Sequence, residues 1–238
     1  MKLLKSLTVV ALLFNATTTQ AQWKRVKGDG NITTTSRNTG DYDGLNAAGP
    51  MDFKLVQGAE GLITIKGDSN LMEYIITEVI DGKLVVRSKK GINLKPTKSI
   101  TVTVPYQSIS SVSLAGSGDI ENSGTIKSGD FKVTLAGSGD IDLNVDTDSL
   151  ESGIAGSGDI QLSGSTGNLK TKVEGSGDFD GSKLDSKDVE VKISGSGDVN
   201  VVCHGALNVK ISGSGDVKYS GNPTSKDTNV SGSGSISN

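Results

Sequence analysis

A glycine-rich tetrapeptide, Gly-Ser-Gly-Asp, recurs through the second half of the chain and constrains its fold more than any other feature. The seven copies, of which the last ends in serine, begin at Gly116, Gly137, Gly156, Gly175, Gly195, Gly213 and Gly232. Successive copies start 21, 19, 19, 20, 18 and 19 residues apart. A nearly constant period of this length is typical of stacked units that bury their apolar faces against one another.

Two apolar columns accompany the repeat. Two positions before the first glycine stand Leu114, Leu135, Ile154, Val173, Ile193, Ile211 and Val230. Four positions after it stand Ile120, Ile141, Ile160, Phe179, Val199, Val217 and Ile236. Because side chains alternate between the two faces of a strand, the pattern predicts a strand on each side of a glycine-rich corner, with both columns directed inward.

These columns predict an all-β chain in which residues 111–238 form a parallel β-solenoid of roughly six coils. Each coil would contain a strand, a GSGD corner, a second strand and a variable loop, and coils would stack about 4.8 Å apart. A β-meander or sandwich is the competing fold. Neither of these folds requires the same inward-facing positions in all seven copies, so the pattern disfavours them.

Residues 22–110 lack the repeat and are predicted to form a small strand-rich region that caps the solenoid. Alternating apolar residues predict strands at 52–57, 61–67, 74–80, 83–88 and 99–104. Asp81 and Gly82 predict a tight hairpin between two of these strands, since its turn needs positive φ. Residues 70–76 could instead open as a short helical turn, and Pro105 is predicted to close the last strand.

Residues 1–21 have the pattern of a secretory signal peptide. Lys2 and Lys5 precede an apolar stretch from Leu7 to Phe14, and the segment ends at the small residue Ala21. We therefore expect export to the periplasm, the cell surface or the medium, and no transmembrane segment in the mature chain. Cys203 is the only cysteine, so no internal disulfide can form, and a lone cysteine between strand residues is predicted to be a small buried apolar group.

The formal net charge of −3 hides an asymmetry along the chain. Residues 111–238 contain 10 Lys, no Arg and 18 Asp or Glu, a net charge of −8, so the remaining residues carry +5. An acidic repeat array is unsuited to binding nucleic acid, and we expect no nucleic-acid partner.

The repeated aspartates suggest either a structural role or a cation site. Phosphate-binding loops are disfavoured, because each GSGD leads into a strand rather than a helix. Stacked carboxylates repel unless they are screened, bound to a cation or hydrogen-bonded. Calcium-binding β-rolls take ligands from both turns of each coil, whereas the second turn is irregular here. We therefore predict no cofactor and no metal, with calcium as the alternative, and expect each aspartate to accept hydrogen bonds from backbone N–H groups or from the neighbouring serine.

Catalytic signals are weak. A β-helix lyase would need an arginine to clamp a uronate carboxylate, and the repeats contain none. An even aspartate ladder also lacks the two carboxylates in different environments that glycosidases use. His204 lies in a variable loop and is predicted to be exposed. Phe131, Phe179 and Tyr219 are the aromatics of the repeats, and Phe179 occupies an inward column, so any glycan contact there would be polar.

The candidate ligand site is a row of polar side chains at the repeated corners, which we call the corner stripe. It comprises Ser117, Asp119, Ser138, Asp140, Ser157, Asp159, Ser176, Asp178, Ser196, Asp198, Ser214 and Asp216. Because the copies are nearly identical, the repeat is expected to form a uniform surface rather than a single active site.

The signal-like start, the strand-rich entry, the GSGD series and the ending DVKYSGNPTSKDTNVSGSGSISN resemble the "putative autotransporter adhesin, head GIN" family of exported bacterial proteins. The resemblance covers nearly all of the mature chain. It implies a right-handed, single-stranded, pectin-lyase-like parallel β-helix with a small β entry region, a role in adhesion at the cell surface, and no established catalytic residues.

We therefore predict a non-enzymatic exported binding protein that presents the corner stripe to a surface glycan or protein. A carbohydrate-active enzyme of the β-helix type and a purely structural envelope module are the alternatives. The ends of a solenoid expose unpaired strands. A homo-oligomer, in which a second copy of the chain covers such an end, is therefore a further prediction.

Overall fold

The structure, a computed structural model, describes residues 23–238. The predicted signal peptide lies outside these residues. About 70% of these residues are in strands and 3% are in a helix, and stacked parallel strands form a β-solenoid of about seven turns. The predicted β-solenoid fold is thereby confirmed.

Within residues 23–110, nine strands precede the repeats. In chain order they are β1 (Lys24–Lys27), β2 (Ile32–Asn38), β3 (Gly44–Gly49), β4 (Met51–Gln57), β5 (Leu62–Asp68), β6 (Ile75–Ile80), β7 (Lys83–Ser88), β8 (Ile92–Lys95) and β9 (Ile100–Tyr106). A 3₁₀ helix, Ser69–Tyr74, follows β5 and matches the alternative of a short helical turn. The five predicted strands and the hairpin are confirmed, with φ values of 49° at Asp81 and 72° at Gly82. Strand β9 runs one residue beyond Pro105.

Eleven strands follow in the repeats. They are β10 (Ser111–Gly116), β11 (Ile120–Ser123), β12 (Ile126–Gly137), β13 (Ile141–Gly156), β14 (Ile160–Gly175), β15 (Phe179–Gly195), β16 (Val199–Val202), β17 (Ala206–Gly213), β18 (Val217–Ser220), β19 (Ser225–Gly232) and β20 (Ile236–Ser237). The first glycine of each corner pairs in parallel with the first glycine of the next, from Gly116 to Gly232. The repeat period is therefore one coil.

Both predicted inward columns are buried in the first six copies. Their side chains are at most 2% exposed, from Leu114 and Ile120 to Ile211 and Val217. The seventh copy differs, because Val230 is 41% exposed and Ile236 is only half-buried. Within residues 23–238 no strand pairs with the outer edge of β19 or of β20, so these two side chains have core neighbours on one side only.

The variable segments differ from their prediction as loops. In β13, β14 and β15 they lie inside strands of 16 or 17 residues, which continue from one corner to the next. The reason is that each segment has its own inward positions, such as Val145, Thr147 and Leu150, and these stack on their counterparts in the next coil. The strand is interrupted in the other coils, between β11 and β12, between β16 and β17, and between β18 and β19.

Parallel stacking also crosses residue 110 into the region without the repeat. Strand β3 pairs with β10 in register, and β4 pairs with β11. On their other edges, β3 pairs with β7 and β4 pairs with β9, so residues 83–106 form a further coil. The coils are therefore not stacked in chain order, because residues 44–57 lie between residues 83–106 and residues 111–123.

Antiparallel strands close the end of the stack at β7 and β9. Strand β5 pairs with β9 and with β2, while β6 pairs with β7 through the Asp81–Gly82 hairpin. These strands occupy the hydrogen-bonding edge of the terminal parallel coil, which would otherwise be open to pairing with another chain. A separate two-stranded sheet of β1 and β8 lies beside this end.

Close contact between successive coils explains both glycines of the corner. The first has a φ between 127° and 147° in all seven copies, a region that side chains rarely adopt. The second has no space for a side chain. In the six later copies, an added Cβ would lie 1.9–2.2 Å from the carbonyl oxygen of the corresponding glycine in the preceding coil. The corner is thus narrow because backbone packs directly on backbone.

Candidate functional site

The corner stripe lies on the surface of the solenoid. All twelve predicted serine and aspartate side chains are exposed, and they form one line because the corners stack in register. The structure thus brings the predicted residues together. At about 4.8 Å per coil, the six aspartates extend over about 24 Å.

Each stripe aspartate is held by the next coil. The carboxylate Oδ1 accepts a hydrogen bond from the backbone N–H at the aspartate position one coil later, at 2.7–3.1 Å. In the last pair, Ser235 donates to Asp216 through both its backbone N–H and its hydroxyl. The backbone bond that the sequence predicted for the aspartates is present, and it fixes the position of each carboxylate.

An eighth corner extends the stripe toward the start of the chain. Gly49 pairs with Gly116, and Phe53 pairs with Ile120, so the segment Gly49-Pro50-Met51-Asp52 occupies the place of a GSGD corner. The Asp119 backbone N–H lies 3.4 Å from Asp52 Oδ1, which continues the ladder. Sequence reasoning missed this corner because serine and the second glycine are replaced. The retained Ala48-Gly49 at its start and Asp52-Phe53 at its end were the available signal.

The stripe differs in charge from the face that precedes it in each coil. Before the corner, lysines and glutamates form ion pairs, with nitrogen–oxygen distances of 3.0 Å for Lys132–Glu151, 2.6 Å for Lys172–Glu174 and 2.5 Å for Lys192–Glu190. The hydrogen bond from Lys192 lowers the pKa of Glu190. None of the six stripe aspartates has an ion-pair partner within residues 23–238. No ion pair therefore neutralises the negative charge of the stripe.

An acidic groove of about 460 Å³ lies beside the first corners of the stripe. Asp52, Asp119 and Asp140 form one side of it, and Glu121 and Asp142 lie on the following strands. At its end, Lys54 Nζ is 2.6 Å from Glu121 Oε1. Among the described residues, no group of three or more histidine, cysteine, aspartate or glutamate side chains is arranged to hold a metal ion.

The remaining reactive groups of the repeats are dispersed. The thiol of Cys203 is fully buried, as predicted, and burial raises its pKa. The imidazole of His204 is exposed, also as predicted, and its Nε2 lies 2.7 Å from Asp185 Oδ1. Phe131, Phe179 and Tyr219 are buried, so the repeats offer no aromatic ring to a ligand.

Comparisons with known proteins agree with this architecture. The model of a family described as "Putative auto-transporter adhesin, head GIN domain" matches residues 41–223. The chain belongs to this family. The match includes the coils at residues 44–57 and 83–106 and extends through the sixth GSGD corner. It ends before β19, whose side chains are exposed.

Solved structures of similar proteins share the fold. A "putative adhesin" from Bacteroides fragilis is 22% identical, with a TM-score of 0.82, over 90% of this chain and 99% of that chain. A "putative lipid binding protein" from Parabacteroides distasonis is 28% identical, with a TM-score of 0.75 and the same coverage. A "putative adhesin" from Parabacteroides merdae is 23% identical, with a TM-score of 0.71, over 90% of this chain and 98% of that chain. No curated protein matches the chain.

The described residues also bear on the relation of the chain to a membrane. None of the helices in residues 23–238 has the length and apolar character needed to cross a bilayer.

Proposed function

We propose that this member of the adhesin family is an exported, non-enzymatic binding protein whose corner stripe contacts a partner at a cell surface. The observation that carries the proposal is the row of aligned carboxylates that are exposed and have no ion-pair partner in residues 23–238. With Asp52 included, seven carboxylates extend over about 29 Å. Family membership supports a role in surface binding.

The stripe is suited to a repetitive partner. One oxygen of each stripe carboxylate accepts a backbone N–H, so the side chains are already ordered before binding. The neighbouring column consists mainly of small residues, such as Ala115, Ala136 and Ala155, so a ligand can approach closely. Partners with a matching row of donors are a basic protein segment and a hydroxyl-rich glycan. Individually weak contacts repeated along one surface add up through multivalency.

Equivalence of the copies favours binding over catalysis. A catalytic pair of carboxylates needs two different environments, so that one is protonated while the other is ionised. The stripe aspartates instead share the same neighbours and the same backbone hydrogen bond in successive coils. This supports a non-enzymatic function over the alternative of a carbohydrate-active enzyme.

A binding screen against surface glycans, cell-surface proteins and lipid vesicles tests the proposal. The decisive variant is the triple change Asp140→Asn, Asp159→Asn and Asp178→Asn, which removes three charges but keeps the Oδ1 acceptors. The matched control removes three exposed charges outside the stripe, through Asp130→Asn, Asp185→Asn and Asp227→Asn. We expect about tenfold weaker binding for the stripe variant and little change for the control.

Two outcomes would contradict the proposal. If both triple variants bind a partner equally well, the stripe is not the contact surface. If the wild-type protein binds nothing in the screen, the alternative of a purely structural envelope module is favoured. Vesicles belong in the screen because one similar protein from Parabacteroides distasonis is described as a "putative lipid binding protein".

A further inference from the structure

A second surface groove lies at the opposite side of the first corners from the acidic groove. It has a volume of about 400 Å³ and lies where the small sheet of β1 and β8 meets strands β3, β7 and β10. Small residues, including Ala48, Gly49 and Ala115, form its floor. Trp23 and Arg87 stand at its sides. Its volume is within the range of about 300–1,000 Å³ that is usual for ligand sites.

The indole of Trp23 gives this groove an aromatic surface that the repeats lack. Trp23 is the single tryptophan of the chain, and it is 63% exposed. An exposed indole beside a floor of small side chains leaves a flat apolar face available to a ligand. Sugar rings present such apolar faces, and indole rings combine an apolar body with a polar N–H.

Positive charge lies beside the groove, on and next to the small sheet of β1 and β8. Six exposed side chains there have no ion-pair partner within residues 23–238: Lys24, Arg25, Lys27, Lys89, Lys90 and Lys95. Residues 23–110 contain twelve Lys or Arg and nine Asp or Glu, a net charge of +3, in contrast to −8 for residues 111–238. Arg87 Nη2 lies 3.0 Å from Glu78 Oε1, which holds the guanidinium in place. Arg25 lies in β1 opposite Asn93 of β8, and Asn93 lines the groove. Arg25 has no ion-pair partner within residues 23–238.

A buried hydroxyl at the groove also lacks a partner. Ser88 Oγ is buried and has no hydrogen-bond partner in the part of the chain that the structure describes. Gly49 leaves the space beside it open, since an added Cβ would lie 3.1 Å from this oxygen. An unpaired buried hydroxyl is unfavourable, and a ligand hydroxyl or carboxylate would relieve that cost.

We propose that this groove binds an acidic glycan, a sugar chain that bears carboxylate or sulfate groups. Trp23 stacks on the apolar face of a sugar ring, Arg87 and Arg25 attract its acidic group, and Ser88 Oγ bonds to a ring substituent. Charge complementarity selects this ligand, because the corner stripe would repel it. The inference goes beyond the proposed function, since it concerns a different surface and a ligand of opposite charge.

Fluorescence of Trp23 tests the inference directly, because no other tryptophan contributes. Trigalacturonate is the probe and maltotriose is its neutral control. We expect a saturable change in emission with trigalacturonate, with a Kd below about 1 mM that rises with salt, and no saturable change with maltotriose. Arg87→Gln should weaken binding about tenfold, as measured by calorimetry, and Arg25→Gln should weaken it by a smaller factor. Lys218→Gln, which removes an exposed charge far along the solenoid, is the control.

Other results would overturn the inference. These are equal binding of trigalacturonate and maltotriose, equal binding of poly-glutamate, or binding only to vesicles that contain phosphatidylglycerol. An unchanged Kd in both Arg25→Gln and Arg87→Gln would place the ligand elsewhere. Because Arg25 is exposed, its variant keeps the test valid if Arg87→Gln disturbs folding. The triple stripe variant should keep its affinity for trigalacturonate, so failure of this inference and failure of the proposed function are distinguishable.

Discussion

The interior coils and the last described coil have almost the same corner sequence but differ in how much of it is buried. In the same inward column, Ile193 is 1% exposed and Val230 is 41% exposed. An interior coil has a neighbour on each side, whereas the last one has a described neighbour on one side only. The comparison shows that the repeat defines the path of the backbone. The position of a coil in the stack determines how much each of its side chains is buried and so how much it contributes to stability.

The last coil also changes its inward chemistry. Where Leu207 and Val209 face the core, the next coil has Lys226 and Thr228. Lys226 Nζ donates to the hydroxyl of Tyr219 at 2.9 Å and lies 5.1 Å from the centre of its ring. An inward-pointing charge on an edge strand opposes edge-to-edge pairing with another chain. Association of this end with another copy of the chain stays a prediction.

The largest expected effect is a buried charge in an interior coil. Ile193→Asp should lower the free energy of unfolding by more than about 4 kcal/mol, because the carboxylate has no partner in the core. Val230→Asp, in the same column of the last coil, should cost less than about 1 kcal/mol. Urea denaturation followed by circular dichroism measures both. Equal losses in the two variants would contradict the difference in burial.

The next effect concerns the second glycine of the corner. Gly177→Ala should destabilise the protein by about 2–3 kcal/mol, because the new Cβ would lie 2.1 Å from the carbonyl oxygen of Gly158. Gly129→Ala is the matched control in β12, where the nearest atom is 3.8 Å away. The difference between their midpoints in urea gives the cost of separating two coils. A Gly177→Ala protein as stable as the control would show that the corner can widen freely.

Removing a buried hydroxyl should stabilise the protein, in contrast to the variants above. Thr171 Oγ1 is buried without a hydrogen-bond partner in the described chain, so Thr171→Val should raise the free energy of unfolding by about 1 kcal/mol. Thr147 Oγ1 instead donates to Thr166 Oγ1 at 3.0 Å. Thr147→Val should therefore be neutral or destabilising under the same denaturation assay. A stabilised Thr147 variant beside a destabilised Thr171 variant would reverse the assignment of the two sites.

The aspartate ladder should have a modest effect on stability. Asp159 Oδ1 accepts the backbone N–H of Asp178 at 2.8 Å, and Asp159→Ala removes this bond at a cost of about 1 kcal/mol. Asp159→Asn keeps an oxygen in the same place and should lose less. Thermal melting of both variants separates the hydrogen bond from the charge. If asparagine costs as much as alanine, the charge rather than the acceptor stabilises the corner.

Removal of calcium should have the smallest effect on stability. Because a backbone N–H already engages each stripe carboxylate, we expect chelation to leave the melting temperature nearly unchanged. A ladder that bound calcium at 100 times its Kd would be stabilised by about 2.7 kcal/mol, which chelation would remove. Melting curves recorded with calcium and with a chelator distinguish the two cases. A clear decrease with chelator would favour the calcium interpretation of the stripe.

Much of the solenoid could be predicted because the period of the repeat specifies which residues pair between neighbouring coils. Leu114, Ile120 and their counterparts recur at fixed distances from a glycine that needs positive φ, and only stacked coils satisfy all copies at once. The corner stripe followed from the same register. The groove at Trp23 could not be predicted, since β1 and β8 are brought together by pairing between residues 68 positions apart.

By itself, the sequence determined that this protein stacks glycine-cornered strands in parallel and that its aspartates line one edge. The tertiary structure alone decided that residues 44–57 form a corner without the repeat and lie between residues 83–106 and residues 111–123. It also decided that variable segments continue as strands and that Val230 is left exposed. The physical reason is that a periodic pattern encodes the contact between neighbouring copies. The order of aperiodic coils and the closure of the stack depend on long-range pairing and burial, which no local pattern records.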